Sequence, residues 1–149
     1  MKIIAKNKRA YHDYHIEEKL EAGIALSGSE VKSMRAGNFN FSDSYVRIIN
    51  AECWLIGMHI SPYKDAGYAP HKPEASRRLL LHKMEIIRMR KKAEQKGYTL
   101  VPLAAYLKQG LIKIEIGVGR GKKLYDKRQS IREKDTRREL ERQSKRAKI

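Results

Sequence analysis

From Tyr14 to Leu26 the chain alternates with a period of two. Tyr14, Ile16, Glu18, Leu20, Ala22, Ile24 and Leu26 occupy one set of positions, and His15, Glu17, Lys19 and Glu21 begin the other. Successive side chains of a strand point to opposite faces, so the pattern predicts one long, half-buried strand. The same period returns over residues 111–118, where Ile112, Ile114, Ile116 and Val118 alternate against Lys113 and Glu115. Residues 98–107 make a further strand, joined to it through Lys108-Gln109-Gly110. Tyr45-Val46-Arg47-Ile48-Ile49 and Cys53-Trp54-Leu55-Ile56 read as a β-hairpin connected by Asn50-Ala51-Glu52, with Met58-His59-Ile60 continuing the second strand past Gly57.

Two helices interrupt the strands. Ser27 stands three residues before Glu30, the spacing of a capping box, and Gly37 ends the run, which predicts a helix over 28–36 with Lys32 and Arg35 on its outer side. Met84, Ile86, Ile87, Met89 and Ala93 form the apolar stripe of a second helix from Lys83 to Lys96, capped by His82 and closed by Gly97. Residues 61–76 hold Pro62, Gly67, Pro70 and Pro73 and read as a surface loop, and Gly117-Val118-Gly119-Arg120-Gly121 reads as a flexible hinge. The pattern as a whole is mainly β with helices: a small antiparallel β-barrel with flanking helices.

Charge decides the class of partner. The 149 residues carry 33 Lys and Arg against 17 Asp and Glu, a net charge of +16. Such self-repulsion is tolerated where a polyanion is bound and counterions are released. No stretch approaches the roughly 20 apolar residues of a spanning helix, and the N-terminus lacks a signal-length apolar run, so a cytoplasmic location is expected and nucleic acid is favoured over a membrane. Residues 120–149 hold 13 basic and 5 acidic residues, a net +8, with few large apolar side chains. The expected organisation is therefore a folded RNA-binding domain over 1–119 and a basic tail over 120–149 that is disordered when free. Ser130 with Glu133, and the i,i+4 pairs Glu133–Arg137 and Glu141–Lys145, prepare that tail to become helical on a partner.

Enzymatic chemistry finds little support. Asp43, Glu52, His59, His71 and His82 are possible acids, bases or ligands, but no spacing links them into a metal or acid–base set. The single cysteine, Cys53, sits in an apolar segment and is expected to be a buried, inert thiol. No cofactor is expected.

The ordered strings Asn7-Lys8-Arg9-Ala10, Glu21-Ala22-Gly23-Ile24, Glu30-Val31-Lys32-Ser33, Arg35-Ala36-Gly37, Asp43-Ser44-Tyr45, Leu79-Leu80-Leu81-His82, Thr99-Leu100-Val101-Pro102-Leu103, Gly121-Lys122-Lys123 and Asp126-Lys127-Arg128 resemble the SsrA-binding protein, small protein B, family from Asn7 to about Arg138. The resemblance implies a barrel of the oligonucleotide-binding (OB) type. It implies a monomer that binds the tRNA-like domain of transfer-messenger RNA and enters stalled ribosomes with it, alanine-charged, together with elongation factor Tu and GTP. Carried over by motif, Asn7, Arg9, Glu21, Lys32, Arg35 and Asn38 would meet the tRNA-like domain. His12, Lys122, Lys123, Tyr125, Asp126, Lys127 and Arg128 would lie at the decoding centre and mRNA channel, with the tail becoming helical there. Ala75 and Lys91 depart from the family's usual Arg and Gly, leaving Arg77 and Arg78 to supply phosphate contacts in the loop before Leu79.

Overall fold

The computed structural model describes residues 1–63 and 71–122. In chain order the elements are β1 (Lys2–Lys6), α1 (Lys8–Asp13), β2 (Tyr14–Ile24), α2 (Gly28–Arg35), β3 (Phe39–Asn40), β4 (Tyr45–Ile49), β5 (Glu52–Ile56), β6 (His59–Ile60), β7 (Arg77–Leu80), α3 (Lys83–Glu94), β8 (Tyr98–Lys108) and β9 (Leu111–Gly121). The large sheet is antiparallel in the order β1-β8-β4-β5-β7-β2-β9, and β8 also pairs with β9, so six strands close into a ring. β8 gives one edge to β9 along its whole length. Its other edge takes β4 at Leu100 and β1 from Ala104 to Leu107.

The long alternating strand is observed as β2, with odd positions exposed from His15 to Glu21 and Ala22 buried at 1% exposure. Inside the ring Ala22, Leu55, Leu79, Leu100, Ala105, Ile114 and Ile116 share one apolar core with Met34 of α2 and Met89 of α3. Cys53 is fully buried there, and burial pushes its thiol pKa up to about 11, which makes it inert. A second, smaller cluster joins Ala10 of α1 to Val101 and Leu103. This is why β8 is buried almost continuously from Leu100 to Tyr106: α1 covers the strand on the side away from the ring.

Two tight turns set the registers. Asn50 and Ala51 (φ 50° and 62°) turn β4 into β5, and Gln109 and Gly110 (φ 52° and 77°) turn β8 into β9. Positive φ at both central residues matches the twist of a two-residue hairpin. Helix α2 begins as expected, with the Ser27 hydroxyl accepting from the Glu30 N–H and the Glu30 carboxylate accepting from the Ser27 N–H at 2.9 Å.

Several expectations are corrected. Gly57 adopts φ +87°, which breaks the strand after β5, so His59–Ile60 does not continue it but pairs with β3 in a separate two-stranded sheet. In α3, Met84 and Ile87 are exposed (74% and 40%) while Met89 is buried with Ala93 against the core. At about 100° per residue Met84 and Ile87 fall far around the helix from Met89, so they form a second apolar stripe rather than part of the first. Residues 117–121 are no hinge: they are the last five residues of β9, paired with β2 and β8. A Cβ on Gly117 would come within 2.7 Å of Leu103, and one on Gly119 within 3.2 Å of the His15 carbonyl, so these glycines permit close packing.

Candidate nucleic-acid interface

The sequence candidates fall into two groups along β8, one at its C-terminal end at Lys108 and one at mid-strand around Pro102, six residues or roughly 20 Å away at strand rise.

At the β8–β9 turn the arrangement centres on Glu21, which projects from the outer face of β2. Its carboxylate accepts a hydrogen bond from the Tyr106 hydroxyl and lies 3.4 Å from Lys108 Nζ. The Tyr106 hydrogen bond, followed by Lys108, holds the Glu21 pKa below the ordinary carboxylate value, so the group is ionised at neutral pH. Burial and Glu21 push the Tyr106 phenol pKa far up, so it stays a donor. On the other side of the same turn Arg35 Nη2 donates to the Gly110 carbonyl at 2.9 Å, which fixes the C-terminal end of α2 against the hairpin. Lys32, one turn earlier, holds its ammonium 5.4 Å from the Tyr63 ring. Asn38 is exposed just after Gly37, its main chain donating to Ser33 O and accepting from Ser61 N–H, both at 2.9 Å. An oriented carboxylate thus stands beside cations that tether themselves to main-chain or aromatic groups. Such a carboxylate can accept from hydroxyls and amines while the cations can neutralise phosphate, the chemistry that recognition of RNA shape requires.

At the mid-strand group, Asn7 is 8% exposed and both polar atoms of its side chain are hydrogen-bonded. Nδ2 donates to Pro102 O at 2.8 Å, Oδ1 accepts from the Ala10 N–H at 3.3 Å, and its main-chain N–H donates to Leu103 O at 2.7 Å. Asn7 therefore positions α1 on β8. Arg9 is exposed but bridges Asp43 at 2.8 Å and Asp13 at 3.5 Å across a cleft of about 230 Å³ lined by Tyr14, Ser44, Tyr45 and Thr99. His12 extends into solvent with Nδ1 3.0 Å from Asp13, and that hydrogen bond is the largest cause of a lowered Asp13 pKa. Lys122 donates to Tyr11 O at 2.8 Å, so the root of the tail lies against α1 and near His12. Lys123, Tyr125, Asp126, Lys127 and Arg128 lie outside the described residues.

Arg77 does not supply a phosphate contact. It is 3% exposed, with Nε on the Glu30 carboxylate at 2.5 Å and its other nitrogens donating to Met58 O, Lys72 O and Pro73 O. Burial pushes the Glu30 pKa up, but the Ser27 N–H and Arg77 outweigh it and leave it lowered. Arg78, the next residue, is half-exposed and remains available. His71 is likewise structural, with Nδ1 2.8 Å from Ser29 Oγ and Nε2 2.9 Å from Ile60 O. Among the described residues no group of three or more His, Cys, Asp or Glu is placed to hold a metal, and no helix is long and apolar enough to cross a membrane.

Residues 4–146 match the family model described as SmpB protein. The chain belongs to the SmpB family. Among similar curated proteins are the SsrA-binding protein of Oleidesulfovibrio alaskensis, 55% identical over 95% of this chain and 91% of that protein, and that of Carboxydothermus hydrogenoformans, 55% identical over 94% of each. A solved chain described as "tmRNA-SmpB: a journey to the center of the bacterial ribosome" superposes with TM-score 0.67 at 49% identity, covering 79% of this chain and 83% of that one. Sequence reasoning named Glu21 but missed Tyr106 and Lys108, the residues that orient it. No local signal could have found them, because they lie 85 and 87 positions away along the chain.

Proposed function

We propose that this chain binds the tRNA-like domain of transfer-messenger RNA and carries it to stalled ribosomes for trans-translation, in which incomplete proteins are tagged for degradation. The observation that carries the reading is the ionised Glu21 carboxylate of β2, fixed by Tyr106 and Lys108 of β8, whose turn into β9 also holds Arg35. Membership of the SmpB family and the likeness to the tmRNA–SmpB structure support it. In this reading the ring of strands acts as an OB-type barrel, and Arg9, Glu21, Lys32, Arg35 and Asn38 meet the tRNA-like domain, with Asn7 holding α1 and its Arg9 in place. His12 and Lys122 turn toward the decoding centre. The basic tail, including Lys123, Tyr125, Asp126, Lys127 and Arg128, enters the mRNA channel, where phosphate neutralisation and helix formation are coupled. Elongation factor Tu with GTP accompanies the alanine-charged RNA, the protein acts as a monomer, and the setting is the cytoplasm.

The test is a gel-shift titration against the tRNA-like domain with ordinary tRNA and ribosomal RNA fragments as competitors, at two salt concentrations. Selective binding that survives the higher salt supports the reading. Equal, salt-abolished binding to all three leaves a general basic RNA binder. The double variant Glu21→Arg, Arg35→Ala is expected to lose the selective component in the same assay, since it inverts the oriented acceptor and frees the end of α2.

A further inference from the structure

The outer face of β4, β5 and β7 is a third surface, centred on residues that belong to neither group of candidates above. Register places Arg47 of β4 directly opposite Trp54 of β5, and Trp54 directly opposite Arg78 of β7. A half-buried indole therefore lies in one cross-strand row between two guanidinium-bearing residues, with neighbouring side chains about 5 Å apart at Cβ. Around this row stand Tyr45, Ile49 and Leu80, exposed at 42%, 41% and 51%. One carboxylate, Glu52, shares the face, 3.9 Å from Arg78, while Arg47 has no acidic partner among the described residues. Tyr45 borders the Arg9 cleft and Leu80 the cleft beside Glu21, while Arg47, Trp54 and Arg78 belong to neither.

Exposed aromatics interleaved with arginines on a strand face form a platform on which unpaired bases stack while the guanidinium groups take the phosphates or stack in turn. We infer that the Arg47–Trp54–Arg78 row binds an unpaired segment of RNA. The net positive charge selects a polyanion, and a strand face with a partly exposed indole favours splayed bases over a duplex, whose bases are stacked on one another and present no free face.

Trp54 is the chain's one tryptophan, so its emission reports this surface directly. The full-length protein would be titrated with a short unstructured oligoribonucleotide, with the same sequence as a duplex, and with polyglutamate. Quenching of Trp54 by the single strand at lower concentration than by duplex is expected, and Glu21→Arg, Arg35→Ala protein should quench in the same way. Affinity measured by anisotropy of labelled single strand should fall roughly 10-fold in Trp54→Leu and in Arg47→Ala, Arg78→Ala, and be restored in Trp54→Phe, with the melting temperature followed to confirm that each variant is folded. Unchanged emission at saturating RNA, equal quenching by duplex, or loss of quenching in the Glu21, Arg35 variant would each overturn the inference. Quenching by polyglutamate at equal concentration would also overturn it, since the face would then serve an acidic protein.

Discussion

Glu21 is a carboxylate on the outer face of a protein with net charge +16, and what makes it useful is its pair of partners rather than its type. A carboxyl whose folded pKa lies below its ordinary 4.5 adds stability at neutral pH and loses it as pH falls through the folded value. The melting temperature of Glu21→Gln should therefore fall below that of the parent at pH 7, and the difference should shrink as the pH drops below 4.5 and vanish once it is below the lowered folded pKa in a thermal-unfolding series. A constant difference across pH would mean that Tyr106 and Lys108 do not act on the charge. Arg77 makes the opposite case: it is buried, and its role is internal. Arg77→Ala leaves the Glu30 carboxylate buried without its cation and should cost about 3–5 kcal/mol in a denaturant titration, whereas exposed Arg78→Ala should change stability little. The sequence reading grouped both arginines as phosphate contacts because adjacent residues of one type look alike until a strand sends one inward and the next outward.

At the scale of elements, the long alternating strands and the capped α2 were legible because each carries its own period or cap. The elements that were missed are those whose stability is borrowed. A six-residue α1 is far below the length at which an isolated helix persists, and it exists because Asn7 ties it to β8 and Ala10 is buried against Val101 and Leu103. β7 alternates in burial but not in polarity, because Arg77 is a buried residue and Leu80 an exposed one, a reversal made possible by Glu30 from α2. The glycine-rich end of β9 is the other case. Gly117→Ala should destabilise the fold by about 1–3 kcal/mol, since the new Cβ meets the fully buried Leu103 at 2.7 Å. Gly28→Ala, with nothing within 4 Å at the start of α2, should stay within about 0.5 kcal/mol of the parent. Similar costs for the two in equilibrium unfolding would restore the hinge reading.

For the whole molecule, the two candidate groups lie apart along β8, and the start of the basic tail lies against α1, with Lys122 meeting Tyr11 and the Arg120 guanidinium 4.5 Å from the centre of the Tyr98 ring. Deleting residues 122–149 should leave selective binding to the tRNA-like domain intact and abolish tagging in a reconstituted translation assay. Equal loss of RNA binding would end that division of labour. The sequence by itself determined the class of partner, the mainly β fold and the helix capped by Ser27, since net charge, two-residue alternation and capping depend on composition and near neighbours. Tertiary structure decided which charges are free. It buried Arg77, committed Asn7 to β8, oriented Glu21 through Tyr106, and set Trp54 between Arg47 and Arg78. The reason is physical: exposure and partnership of a charged group depend on groups far away in the chain, which only closure of the sheet brings within hydrogen-bonding reach.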